Sequence, residues 1–276
     1  PALEILAGAG VPMYRSLEAS AKAMAACWRA SAQSRRAAAS RRSSPDRGRV
    51  DTILARATAT TPRLLLEPDA RELLAAYGIA VPAFRVAATA DETEHAAREL
   101  GGRLAIKLVA PELLHKSEAG GVLLDVAPEL AAEAYRELVT RAADLGIAAA
   151  RVLLTPMVAH GLEMAVGAFR DAQFGPVVMF GLGGTAVEAL ADVAFRLAPV
   201  DEVEARAMLG EFRAHRLLGA LRGRGPRDTD AAVDVIVRVS ELVADLDEIA
   251  ELDLNPVFLL ERGIAVADAR AVLGPR

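Results

Sequence analysis

Only one cysteine, Cys27, occurs in 276 residues. No internal disulfide framework can hold this chain, and a lone thiol fits a reducing compartment. No apolar run approaches the length of a membrane span, and no charged-then-apolar leader opens the sequence, so the expectation is a cytoplasmic protein without a membrane partner. Strong charge of either sign is missing too. A net charge of −5 and a pI of about 5.5 give no general attraction to nucleic acid. No internal repeat is found, and a start at Pro1 without Met is what a processed, trimmed or excised chain would have. What is present is 53% hydrophobic and 25% charged residues, enough to core one large or two medium domains.

The most informative stretch runs from Glu251 to Arg270. Polar residues alternate with Leu252 and Leu254, an apolar run reaches Glu261-Arg262-Gly263, and a second apolar run ends at Asp268, the pattern of a β-hairpin. A tight loop at Glu261-Arg262 places residue 255 opposite residue 268. A loop at Arg262-Gly263 places Asp268 opposite Val257. In both registers Asn255 and Asp268 share a face, with Asp253 on it as well, because side chains in a strand alternate with period two. An amide and carboxylate oxygens with room for water and phosphate suit Mg²⁺. An ordinary solvent-facing hairpin has the same spacing.

Three further segments carry chemistry. Leu104 to Val109 reads as a strand apolar on both faces except at Lys107, and a buried ammonium needs an anion to meet it. His115, Lys116 and Ser117 then precede Gly120-Gly121, where glycine amides can approach phosphate oxygens. Between Lys107 and that double glycine, the His115 imidazole can act as a nucleophile toward phosphorus or as a hydrogen-bond donor. Gly181-Leu182-Gly183-Gly184 follows a buried strand and enters a helix near Glu188. Its spacing is not that of a dinucleotide fingerprint, and phosphate approach by the amides of Gly183 and Gly184 fits better.

With these motifs in hand, Ile106-Lys107, His115-Lys116-Ser117-x-x-Gly120-Gly121-Val122, Asp171-x-x-Phe174-Gly175-Pro176 through Gly184, and Leu252-Asp253-Leu254-Asn255-Pro256 through Ala269-Arg270 resemble the ATP-grasp domain of ADP-forming acyl-CoA synthetases, relatives of succinyl-CoA synthetase. The resemblance runs from about Leu64 to the C-terminus. It implies an α/β ATP-grasp fold of two subdomains, about 64–155 and 156–276, with ATP or ADP between them. It further implies Mg²⁺ on Asn255 and Asp268, phosphate contacts from Lys107 and Lys116, and adenine against Met157 and Val158. Glu163 would be a carboxylate near the nucleotide, Arg222 a clamp on the transferring phosphate, and His115 a phosphate contact or a second phosphohistidine. The implied reaction is acyl-CoA + ADP + phosphate ⇌ carboxylate + CoA + ATP. The implied partner is a CoA-ligase domain or α subunit carrying the phosphohistidine, within an oligomer. A regulatory module of a protein acetyltransferase and a non-catalytic assembly domain are the alternatives.

Residues 1–30 resemble, more weakly, the end of a flavodoxin-like CoA-ligase domain: a short helix, a strand from Val11 and a helix from Ser16 to Trp28. Residues 31–63 carry eight arginines against Asp46 and Asp51, so +6 sits there and −11 elsewhere. Serine and arginine with little apolar periodicity predict a flexible basic linker, and the absence of aromatics argues against an RNA-binding arm.

Overall fold

A computed structural model describes residues 8–9, 12–14, 16–39, 41–60, 62–113, 120–147, 150–158, 161–184, 192–220 and 225–274. Two antiparallel sheets organise them. The smaller has the order β2-β5-β3-β4, from β2 (Arg85–Ala87), β3 (Leu104–Val109), β4 (Val122–Val126) and β5 (Arg151–Pro156). The larger has the order β1-β11-β9-β6-β7-β8, from β1 (Arg63–Leu65), β6 (Leu162–Asp171), β7 (Gly175–Leu182), β8 (Val193–Leu197), β9 (Ile249–Leu259) and β11 (Arg270–Leu273), with β10 (Ile264–Val266) also paired to β9.

Each sheet has its own core. Helices α4 (Ala90–Leu100) and α5 (Ala131–Asp144) cover the small sheet, burying Ala97, Ala134, Leu138 and Ala142 with Ile106, Leu108, Val152 and Leu154. Helices α3 (Glu67–Ala76), α6 (Glu202–Glu211) and α7 (Thr229–Asp245) build the second core with Met164, Val166, Phe180 and Leu254. Along β6, Met164, Val166 and Ala168 belong to this core, Ala165 between them is buried as well, and Glu163 is exposed.

Two parts of the expected layout are corrected. The chain does not divide at 155/156 alone, because β1 pairs with β11, and Leu65, Leu73, Leu74 and Tyr77 lie in the large core. Residues 63–79 therefore belong with the second half of the chain. Nor is 31–63 a structureless linker. Helix α1 (Leu17–Ala39) continues past Trp28 into the arginine-rich stretch, and α2 (Arg47–Leu54) buries Val50, Ile53 and Leu54 in the large core. The arginines in between have partners far along the sequence. Arg41 binds Asp245, Arg42 binds Asp234 and Glu202, and the amides of Arg42 and Ser43 donate to the buried Glu241 carboxylate at 2.8 and 2.7 Å. Near the N-terminus, 12–14 form no strand, and Val11 lies outside the described residues. Among the described residues, no helix is long and apolar enough to cross a membrane.

Candidate functional site

The hairpin takes the first of the two expected registers. Ile264 pairs with Leu259 and Val266 with Val257, which leaves Glu261-Arg262 as the two-residue loop. Beyond it, β11 rejoins β9 with Arg270 opposite Asp253. These pairs bracket Asn255 and Asp268, which the common register sets opposite one another. The ladder is interrupted at 267–269, where the Ala267 amide still donates to the Pro256 carbonyl at 3.0 Å. The strand after Asp268 was not expected as a separate element.

Asn255 is held by the glycine pair at the end of β7. The Gly184 amide donates to Asn255 Oδ1 at 3.0 Å, and the Gly183 amide to the Glu163 carbonyl at 2.8 Å. Both N–H groups expected to cradle phosphate are thus engaged inside the protein. Close packing explains why both residues are glycine. A Cβ on Gly183 would meet the Met164 carbonyl oxygen at 2.4 Å. Gly184 has φ +63°, and a Cβ there would meet Glu163 Oε2 at 2.1 Å. Gly184 thus lies against both the Glu163 carboxylate and the Asn255 amide.

Across from it, Lys107 leaves β3 almost wholly buried, at 6% exposure. The anion that its burial requires is present in the protein. Its Nζ donates to Glu67 Oε1 at 2.9 Å and to the Ala267 carbonyl at 2.6 Å, with Asp268 Oδ1 at 3.8 Å. Arg71, with no exposure at all, reaches the same two acceptors at 2.9 and 2.7 Å. Its guanidinium carbon lies 5.5 Å from the centre of the Phe84 ring. Neither Glu67 nor Arg71 was found by sequence reasoning. The i,i+4 spacing from Glu67 to Arg71 was the available signal in the sequence.

Burial pushes the Asp253 carboxyl up from its ordinary value; Arg270 opposes that, while Glu251 and Asp268 add to it. Asp268 accepts from the Ala269 amide at 2.9 Å. Met157, expected against adenine, uses its own amide on the Arg103 carbonyl at 2.8 Å, and Val158 follows it at the end of β5. His115, Lys116 and Arg222 lie outside the described residues.

These contacts bring the Lys107 ammonium close to the loop that carries Asp268, and a model of the ATP-grasp domain matches residues 56–273. The chain belongs to the ATP-grasp family. It is 43% identical over 218 residues to the β subunit of an ADP-forming acetate–CoA ligase I of Pyrococcus furiosus, covering 76% of this chain and 92% of that one. It is 44% identical over 205 residues to the ADP-forming acetate–CoA ligase I of Archaeoglobus fulgidus, of which it spans 30%, with 73% of this chain covered. Among solved structures it is similar to acetyl-coenzyme A synthetase 1 of Candidatus Korarchaeum cryptofilum in complex with coenzyme A and Mg-AMPPCP, whose phosphohistidine segment points towards the nucleotide-binding site. There the TM-score is 0.68 at 39% identity, over 76% of this chain and 93% of that one. Both of these curated relatives are named as ligases.

Proposed function

We propose that this chain is the nucleotide-handling, phosphoryl-transferring part of an ADP-forming acyl-CoA ligase. It works in the cytoplasm with a CoA-binding subunit or fused segment that carries the phosphohistidine. The observation that carries this reading is the shared register of β10 and β11 on β9, which sets Asn255 opposite Asp268 beside Lys107.

The donor set fits Mg²⁺: one amide oxygen and one carboxylate oxygen leave most positions for water and phosphate oxygens, as this ion prefers. Among the described residues, no group of three or more acidic, His or Cys side chains could hold a metal without such help. Asn255 and Asp268 would hold the ion, and a bound ion would offset charge on the phosphates. The residues of the chain do the positioning. Gly184 fixes the Asn255 amide so that its Oδ1 keeps a second lone pair for the ion. Lys107 places a fixed positive charge at the cleft wall. Two of its three protons bind Glu67 and Ala267, and a phosphate oxygen would take the third. Met157 and Val158 would line the base pocket through the Met157 side chain and the backbone beyond its engaged amide. His115, Lys116 and Arg222 would act on the phosphates as the family resemblance implies.

Calorimetric titration with ADP in the presence of Mg²⁺ tests the reading. The wild-type chain should bind, and Asp268→Asn should bind about tenfold more weakly, the loss of one charged contact, with an unchanged melting temperature. Equal affinity in the folded variant would remove Asp268 from the site. Adding a CoA-binding partner, acyl-CoA and phosphate should then yield ATP, and its absence with an active partner would reject the ligase assignment.

A further inference from the structure

Glu67 and Arg71 are among the most buried charges of the described residues, at 2% and 0% exposure. Burying such a charge alone is costly, so their placement needs a reason. They sit on α3, in the large core, and reach Lys107 on the small sheet. One carboxylate oxygen, Glu67 Oε1, accepts from Lys107 Nζ at 2.9 Å and from Arg71 Nε and Nη2 at 3.1 and 2.9 Å. One carbonyl, that of Ala267, accepts from both cations, at 2.6 Å from Lys107 and 2.7 Å from Arg71. Ala267 directly precedes Asp268. Three separate segments therefore converge on two oxygen atoms: the strand with the phosphate-facing cation, the helix with its counter-charge, and the loop with the carboxylate for the metal.

Among the described residues, the charges of the cluster are two cations against Glu67, with Asp268 3.8 Å from Lys107. Were Asp268 drawn onto a cation, Glu67, Arg71 and Lys107 would retain one net positive charge, facing the cleft from Lys107. An anionic phosphate is the complement of that charge.

We propose that Glu67 and Arg71 are positioning residues that hold Lys107 and the Ala267–Asp268 loop in one buried link, so that phosphate and metal contacts are set together across the two sheets. This rests on the nucleotide-site reading of Lys107. Neither residue touches the nucleotide; both act through the ammonium and the loop.

A double-mutant cycle on the full chain separates this from a purely structural role. ADP affinity with Mg²⁺ is measured by calorimetry for wild type, Lys107→Met, Glu67→Gln and the double variant, with melting temperatures recorded for each. Lys107→Met and Glu67→Gln should each weaken binding about tenfold, and the double variant should bind within about twofold of Lys107→Met, because residues in one network do not act additively. Independent, multiplying losses would overturn the proposal while leaving Lys107 in the site. A Lys107→Met variant that binds like wild type would instead overturn the reading of Lys107, and this link with it. Should Glu67→Gln not fold, Glu67→Asp keeps the charge but draws it back by one methylene. It should bind ADP several-fold more weakly at an unchanged melting temperature, and wild-type affinity in that folded variant would overturn the proposal.

Discussion

Gly184 answers to two constraints at once. Its φ of +63° is a conformation that costs a side-chain-bearing residue about 1–2 kcal/mol, and the space where its Cβ would stand is filled by the Glu163 carboxylate. Gly184→Ala should therefore lower stability by about the backbone cost, because the exposed Glu163 carboxylate can swing aside, and should strain the amide's bond to Asn255, weakening ADP binding with Mg²⁺. Adding Glu163→Ala should recover little of the loss in melting temperature. A double variant that regains wild-type stability would show that the contact with Glu163, not the backbone, carries the cost. At this scale the sequence was half legible. Asn255 and Asp268 were visible because strand periodicity alone puts them on one face. The demand for an anion at Lys107 was visible too, but not its source forty positions earlier on α3. A carboxylate at a helix start carries an adequate local explanation in the helix dipole, which hides its long-range partner. The Gly183 and Gly184 amides were read as phosphate donors because glycine permits close approach; sequence does not say which close approach, and here it is to β6 and Asn255.

The elements were legible wherever period and punctuation agreed. Strand β3 and the β9–β10 hairpin form where they were expected, since each joins a clear apolar pattern to glycine at an end or turn. Strand β11 was not separable, because Asp268 ends one apolar run and only five residues, Ala269 to Leu273, follow before Gly274. Asp228 shows how such elements are tied together. Its Oδ1 caps α7 by accepting from the Ala231 amide at 3.0 Å, and its Oδ2 accepts from Gly263 in the hairpin turn at 2.7 Å. The Gly263 bond first, then that of Ala231, holds its carboxyl below the ordinary value. Asp228→Ala should cost about 1 kcal/mol for the lost cap and loosen the turn. Because the folded state lowers this pKa, the stability it brings is present above the unfolded value of about 4 and is lost as pH falls through the folded value. Melting temperatures of wild type and Asp228→Ala should thus differ at pH 7 and converge below about pH 4. A gap that persists at lower pH would assign the effect to something other than the carboxylate.

At the scale of the whole molecule, the segment before the matched domain has two parts with different consequences for stability. Helix α1 leaves Leu17, Met24 and Trp28 at 87%, 73% and 68% exposure, so within this chain it buries little. Residues 41–54 are packed and paired: Val50 and Ile53 have no exposure, Glu241 binds two backbone amides, and Arg41 and Arg42 reach α7 and Glu202. Composition concealed this, since serine and arginine describe a linker until their acidic partners, some 160 to 200 residues later, are brought near. Burial of an aliphatic side chain is worth roughly 1.5–3 kcal/mol, so Val50, Ile53 and Leu54 together contribute on the order of 5 kcal/mol as an upper figure. For a domain of this size that corresponds to a shift of about 10 °C or more. Removal of residues 1–40 should leave the melting temperature within a few degrees of the full chain. Removal of residues 1–62 should lower it by the larger amount and expose the apolar surface that α2 covers, read as increased binding of a hydrophobic dye. Trypsin should correspondingly cut at Arg35 well before Arg41 or Arg42, whose side chains are held by Asp245, Asp234 and Glu202. Equal melting temperatures for the two truncated chains would mean that α2 does not contribute to the large core in solution, and the matched domain would then be stable from residue 63 onward.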